Sequence, residues 1–228
     1  MSKFIKYIFL NFVVLFMISC STKQKPAANL TASDILGNPN YQAISYSGYR
    51  GLSRDIQPTM EQLKEDMLIL AAMDIKLIRT YNLYLDAVPN LLSAIKELKE
   101  EKPDFEMYVM LGAWMDCKNA WTDIPPDHTQ ESEQNAEEIE RAIKYANEYP
   151  DIVKIIAVGN EAMIRWAAPY YVQPGVILKY VKYLQEKKAS GKLPESLWIT
   201  SSDNFASWGG GDTSYHTNDL NELIKSVD

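Results

Sequence analysis

The apolar positions of this chain change period along its length. Short runs such as "MYVML" (residues 107–111) and "IVKIIAV" (residues 152–158) are apolar almost throughout. Between such runs, apolar residues recur three and four positions apart: Met60, Leu63, Met67, Leu70 and Ala71; then Leu91, Leu92, Ile95 and Leu98; then Ala136, Ile139, Ile143 and Ala146. The first pattern predicts strands covered on both faces, and the second predicts amphipathic helices laid against them. From about Leu36 onward this rhythm repeats in five rounds. Strands are expected at residues 43–47, 75–81, 107–111, 152–158 and 197–202. Helices are expected over residues 58–73, around 91–98, up to Pro150, over 175–190, and finally around Leu220, Leu223, Ile224 and Val227. Pro58 suits a first helical turn, and Trp198, inside the last strand, is expected to fill the core.

Strands alternating with helices imply a parallel sheet flanked by helices, and two architectures compete for that pattern. A doubly wound nucleotide-binding sheet usually carries a glycine-rich turn after its first strand. Here "SYSGYRGLSRD" (residues 45–55) has neither the dinucleotide fingerprint nor a Walker lysine, and "GGGD" (residues 209–212) lacks the lysine too. A (β/α)8 barrel instead gathers its working residues at the C-terminal ends of the strands. We expect that barrel, truncated to about its first five βα units, over residues 36–228.

The first residues do not read as fold. Lys3 and Lys6 precede an apolar run from Tyr7 to Ile18, and Met17-Ile18-Ser19-Cys20 resembles a bacterial lipobox. Residues 1–19 are expected to be an export signal, Cys20 the lipidated mature N-terminus, and residues 20–35, small and polar, a tether. The protein would then be an exported bacterial lipoprotein, facing the periplasm or lying on the outer-membrane surface and attached to the membrane through its lipid.

The formal net charge is −7, and removing the two signal lysines makes it more negative. Phosphate backbones call for a basic surface, so nucleic acid is not expected as a partner. Beyond Cys20 the only cysteine is Cys117, which rules out an intrachain disulfide; His128 and His216 stand apart from any metal-ligand spacing. No metal and no organic cofactor is implied.

Polar and aromatic residues collect where the strands end. Strand one ends in Tyr46-Ser47-Gly48, strand two in Arg79-Thr80-Tyr81-Asn82, strand three near Trp114 and Asp116, strand four in Asn160-Glu161, and strand five in Ser201-Ser202-Asp203-Asn204. In a barrel these ends share one mouth. The loops of that side add Trp121, Trp166, Tyr170, Tyr171, Phe205 and Trp208, some of which are expected to cover helix ends or fill core. Aromatic faces beside hydrogen-bonding groups suit sugar rings. Trp114, Ser202 and Trp208 are accordingly expected among the substrate contacts.

"AVGNEA" after an apolar strand, "IRTYN" on strand two and "ISYSG" on strand one resemble, in that order and spacing, glycoside hydrolase family 17. This is a family of β-1,3-glucanases and related transglycosylases within a clan of retaining (β/α)8 enzymes. The resemblance covers about residues 40–208. It implies that Glu161 is the general acid/base and that Asn160 holds the sugar 2-hydroxyl. It also implies that Arg79 keeps the nucleophile ionised, while Tyr46 and Tyr81 line the subsite at the cleavage point. The substrate implied by the resemblance is a β-glucan oligo- or polysaccharide with β-1,3 linkages.

The family's nucleophile is a glutamate at the end of the seventh strand. Glu195 precedes strand five and Glu222 lies in a predicted helix, so neither stands at a strand's C-terminal end. Three further units of about 30 to 45 residues would be needed to close the barrel, and the nucleophile is expected beyond Asp228. Two other readings stay open: a surface lipoprotein that binds glycans without cleaving them, and a retaining barrel glycosidase acting on another β-glycan.

Overall fold

The computed structural model describes residues 30–228. The expected export signal, the Cys20 lipidation site and most of the tether lie outside the described residues. In chain order the elements are α1 (Ala32–Ile35), β1 (Gln42–Ser45), α2 (Met60–Ala72), β2 (Ile75–Arg79), α3 (Ala87–Glu101), β3 (Tyr108–Ala113), β4 (Cys117–Lys118), β5 (Asp127–Glu131), α4 (Gln134–Glu148), β6 (Val153–Asn160), α5 (Pro174–Ala189), β7 (Trp198–Ser202) and α6 (Asn218–Ser226). Among the described residues no helix is long and apolar enough to cross a membrane.

The compact unit begins at Thr31. Residues 31–35, which the composition assigns to the tether, therefore belong to the fold. Thr31 and Asp34 form a capping box that starts α1, and Ala32 and Ile35 are buried. The polar, small-residue character of this stretch hides two inward-facing side chains.

Five strands form one sheet in the order β1-β2-β3-β6-β7, and every neighbouring pair is parallel. Spatial order thus follows chain order, each new strand joining the same edge. A doubly wound sheet would reverse direction at a switch point; this one does not, and its winding is that of a barrel. The sheet is open, with β1 and β7 at its two edges.

Strand periodicity divides the side chains between two faces. Ile78, Val109, Leu111, Ile156, Val158 and Ile199 join the helices in one continuous core, with Leu63 and Met67 from α2, Leu91, Leu92, Ile95 and Leu98 from α3, Ile139 and Ala146 from α4, and Leu220 and Leu223 from α6. Arg79 and Ser202 belong to the alternate positions, on the opposite face. Trp198 shares that alternation and is half-buried, not core as expected, because it sits on an edge strand. Ile224 is 46% exposed, flanking the stripe that α6 buries. The long loop expected after strand three contains a small antiparallel hairpin, β4–β5.

Candidate active site

β6 is buried from Val153 to Asn160 and ends in a bend. At Gly159 φ is +85°, and a Cβ there would stand 2.9 Å from Ala162 Cβ and 3.1 Å from Ile177 Cδ1. Only glycine meets both conditions. Glu161 follows with φ 49°, a left-handed conformation that costs a residue with a side chain about 1–3 kcal/mol. Its N–H donates to Ser202 O at 2.7 Å, which ties the bend to β7. The result is an exposed carboxylate at the C-terminal end of a fully buried strand. Beside it Asn160 is buried, and its Oδ1 has no hydrogen-bond partner. Such an acceptor is costly to leave unmet and marks a position shaped for a ligand's donor.

Arg79 lies at the end of β2. Its guanidinium donates to Ser202 Oγ and, through Nε, to Ser45 Oγ at 3.3 Å, and it stands 5.3 Å from the Tyr81 ring centroid. Tyr46 donates its hydroxyl to Asp66 Oδ2 at 2.7 Å, and Asp66 is paired in turn with Arg50. Burial, and then Asp66, push the Tyr46 phenol far above its usual range, so it remains a protonated donor.

Asp203, after β7, accepts the Met163 N–H at 2.8 Å and the Asn204 N–H at 3.1 Å. Burial raises its carboxyl, these N–H groups oppose the shift, and the charge of Glu161 adds to it. Asp203 therefore fixes the loop that carries Glu161.

A cleft of about 1070 Å³ opens at these strand ends, lined by Tyr46, Tyr81, Trp114 and Asn160 among others. That volume is at the top of the roughly 300–1,000 Å³ range of small-ligand pockets, room enough for an extended ligand. Of the catalytic and substrate-contact residues expected from sequence, those four line the cleft. Arg79, Ser202 and Glu161 are not among its lining residues. Arg79 precedes the lining Thr80, Glu161 follows the lining Asn160, and Ser202 is paired with Asn160 on the next strand; the three are joined to one another through the Ser202 side chain and carbonyl. Trp208 is not brought to the cleft wall; it is half-buried and packs against the core. Among the described residues no group of three or more His, Cys, Asp or Glu is placed to hold a metal ion.

The cleft also shows residues that the strand-end reading passed over. Glu138, on α4, is buried and lines it. Its Oε1 accepts the N–H of Leu83 at 2.5 Å and of Trp114 at 3.1 Å, and its Oε2 accepts from Arg141 at 3.2 Å. One carboxylate thus straps the loops after β2 and β3 together. Burial raises its pKa, while the two N–H groups and Arg141 pull the other way. Asn135, one helical turn earlier, accepts the Asp116 N–H at 3.0 Å and donates to the Asp116 carbonyl at 2.9 Å. The sequence held a signal for both: an amide and a carboxylate on the same stripe of α4 as Ile139, Ala142 and Ala146.

No protein-family model and no curated protein matches this chain. A solved structure is similar to it: an endo-laminarinase from Formosa Hel1_33_131. The two chains are 64% identical with a TM-score of 0.86, the match covering 87% of this chain and 51% of that one. This chain therefore spans about half the length of that protein. The likeness reaches well past shared architecture, because 64% identity also preserves side chains.

Proposed function

We propose that this chain carries the acid/base half of a retaining glycoside hydrolase that cleaves β-1,3-glucans, of the family 17 type. The observation that carries the reading is the end of β6, where a strained, exposed Glu161 stands next to Asn160 with its unpartnered buried oxygen. The 64% identity to an endo-laminarinase supports the substrate class. In this reading Glu161 protonates the departing glycosidic oxygen and then takes a proton from the incoming water. Asn160 Oδ1 accepts from the sugar 2-hydroxyl, and the Tyr46 hydroxyl, whose proton goes to Asp66, presents an acceptor oxygen at the cleavage point. Arg79 places a positive charge beneath the nucleophile.

A retaining mechanism needs that nucleophile about 5–5.5 Å from the acid/base. Asp203 is occupied by backbone N–H groups, Glu195 lies exposed before β7, and Glu222 pairs with Lys225 on α6. We place the nucleophile in further βα units that extend the open sheet and close the barrel, a reading supported by the strand order and by the 51% coverage of the larger enzyme. The protein is exported and held to a membrane by a lipid on Cys20.

The test is Glu161→Gln in the protein as its gene encodes it. Hydrolysis of laminarin should be nearly abolished, while an aryl β-glucoside with a good leaving group loses less in its first step, because that group departs without a proton. Laminarin cleavage at the parent rate would refute the assignment of Glu161.

A further inference from the structure

Trp121 is placed in an unusual way for a loop tryptophan. It lies between the two strands of the β4–β5 hairpin with φ 61°, a conformation disfavoured for a bulky residue. Its indole N–H donates to both oxygens of Asp116, at 3.3 and 3.2 Å. Asp116 is only 7% exposed and also receives the Trp114 indole N–H at 2.7 Å. The Asn135 amide, bonded to the Asp116 backbone on both sides, holds this anchor in place. Behind Trp121 the Tyr170 ring stacks at 5.1 Å with an interplanar angle of 22°, and Tyr170 itself rests against Trp114 at 5.2 Å.

Despite these contacts Trp121 is 63% exposed. An indole that served the core would be buried, and one that merely decorated a loop would not be fixed at its edge, its back and its backbone. What the arrangement leaves open is one flat apolar face, with a buried carboxylate beside it, on the wall of the same cleft that Asn160 lines. Tyr170 connects the two regions: burial raises its phenol first, and the charges of Glu161, Asp203 and Asp116 follow.

We propose that Trp121 is a stacking platform for a glucan unit distant from the cleavage point, making the cleft selective for long chains over short ones. The inference rests on the glucanase reading above and extends it to a residue outside the strand ends. The apolar C–H face of a glucose ring would lie on the indole, while its hydroxyls point toward water and the cleft's polar groups. Because the indole is fixed before ligand arrives, little side-chain freedom is lost on binding.

Binding of β-1,3-gluco-oligosaccharides of two to eight units, measured by calorimetry in the gene-encoded protein carrying Glu161→Gln, tests this directly. Adding Trp121→Ala should weaken the longest oligosaccharide by about tenfold and leave the shortest ones that bind unchanged. Trp121→Phe, which keeps a flat face but loses the bond to Asp116, should recover most of the loss. An equal effect of Trp121→Ala at every length, or none at the longest, would overturn the platform while leaving the glucanase reading intact. Failure of the Trp121-containing protein to bind any β-1,3-glucan would instead overturn both.

Discussion

Arg79 on β2 hydrogen-bonds Ser202 on β7, with β3 and β6 lying between their strands. Three interstrand steps on a flat sheet amount to about 14 Å, more than an arginine side chain spans. The five strands are therefore curled, as in part of a barrel wall, and their C-terminal ends are drawn together on the concave side. That curvature brings Ser202 to Arg79, while the Glu161 N–H reaches the Ser202 carbonyl directly from the neighbouring β6. Removing the Ser202 hydroxyl should reduce stability by about 1 kcal/mol. Arg79→Ala should reduce it further, because Ser45 and Ser202 both lose their donor. Urea midpoints of the two variants, compared at equal m-value, check the order.

Asp116 gives a pH prediction. Burial raises its carboxyl above the ordinary range, and the two indole N–H groups oppose that shift. A folded-state pKa above the unfolded value of about 3.9 means that the native protein binds the proton more tightly. This group's contribution to stability is thus fully present below the unfolded pKa and is lost as pH rises through the folded one. Asp116→Asn does not titrate and keeps an acceptor for Trp114. The melting temperature of the variant relative to the parent should rise as pH is raised above about 4. A difference that stayed flat or fell over this window would mean that the carboxylate is not strained by burial.

The proposed location rests on Met17-Ile18-Ser19-Cys20. In a bacterial host that processes lipoproteins, the protein should fractionate with membranes, since a lipoprotein terminus supplies more than one acyl chain and a single chain anchors poorly. Cys20→Ala should move it to the soluble fraction. Detergent partitioning of both forms measures this, and an unchanged membrane fraction for the variant would remove the lipid from the account.

Much of this was legible because period is a local property. The stripes at Leu63, Met67, Leu91, Leu92, Ile95 and Leu98 named their helices, and continuous apolar runs named the strands, since both are dictated by burial on one or two faces. The polar strand ends likewise pointed to Tyr46, Tyr81, Trp114 and Asn160 as neighbours, and these share one cleft. Long-range commitments were not legible. Glu138 bridges Leu83 and Trp114 from a helix whose charged residues otherwise read as solvated surface. The β4–β5 hairpin pairs polar residues such as Lys118 and Asp127, so it lacks apolar alternation. Trp208 looked like its neighbours in composition, and only tertiary packing turns it toward the core.

The central claim is that Glu161 is the proton-transferring carboxyl of a retaining site, and azide rescue of Glu161→Ala in the gene-encoded enzyme tests it most directly. With an activated aryl β-glucoside the variant can still form the glycosyl-enzyme but cannot activate water to release it. Azide needs no general base, so it should restore turnover and yield a glucosyl azide of β configuration, readable from its proton NMR spectrum. An α-configured azide would make Glu161 the nucleophile. No rescue, with hydrolysis proceeding as in the parent, would contradict a catalytic role for this residue altogether.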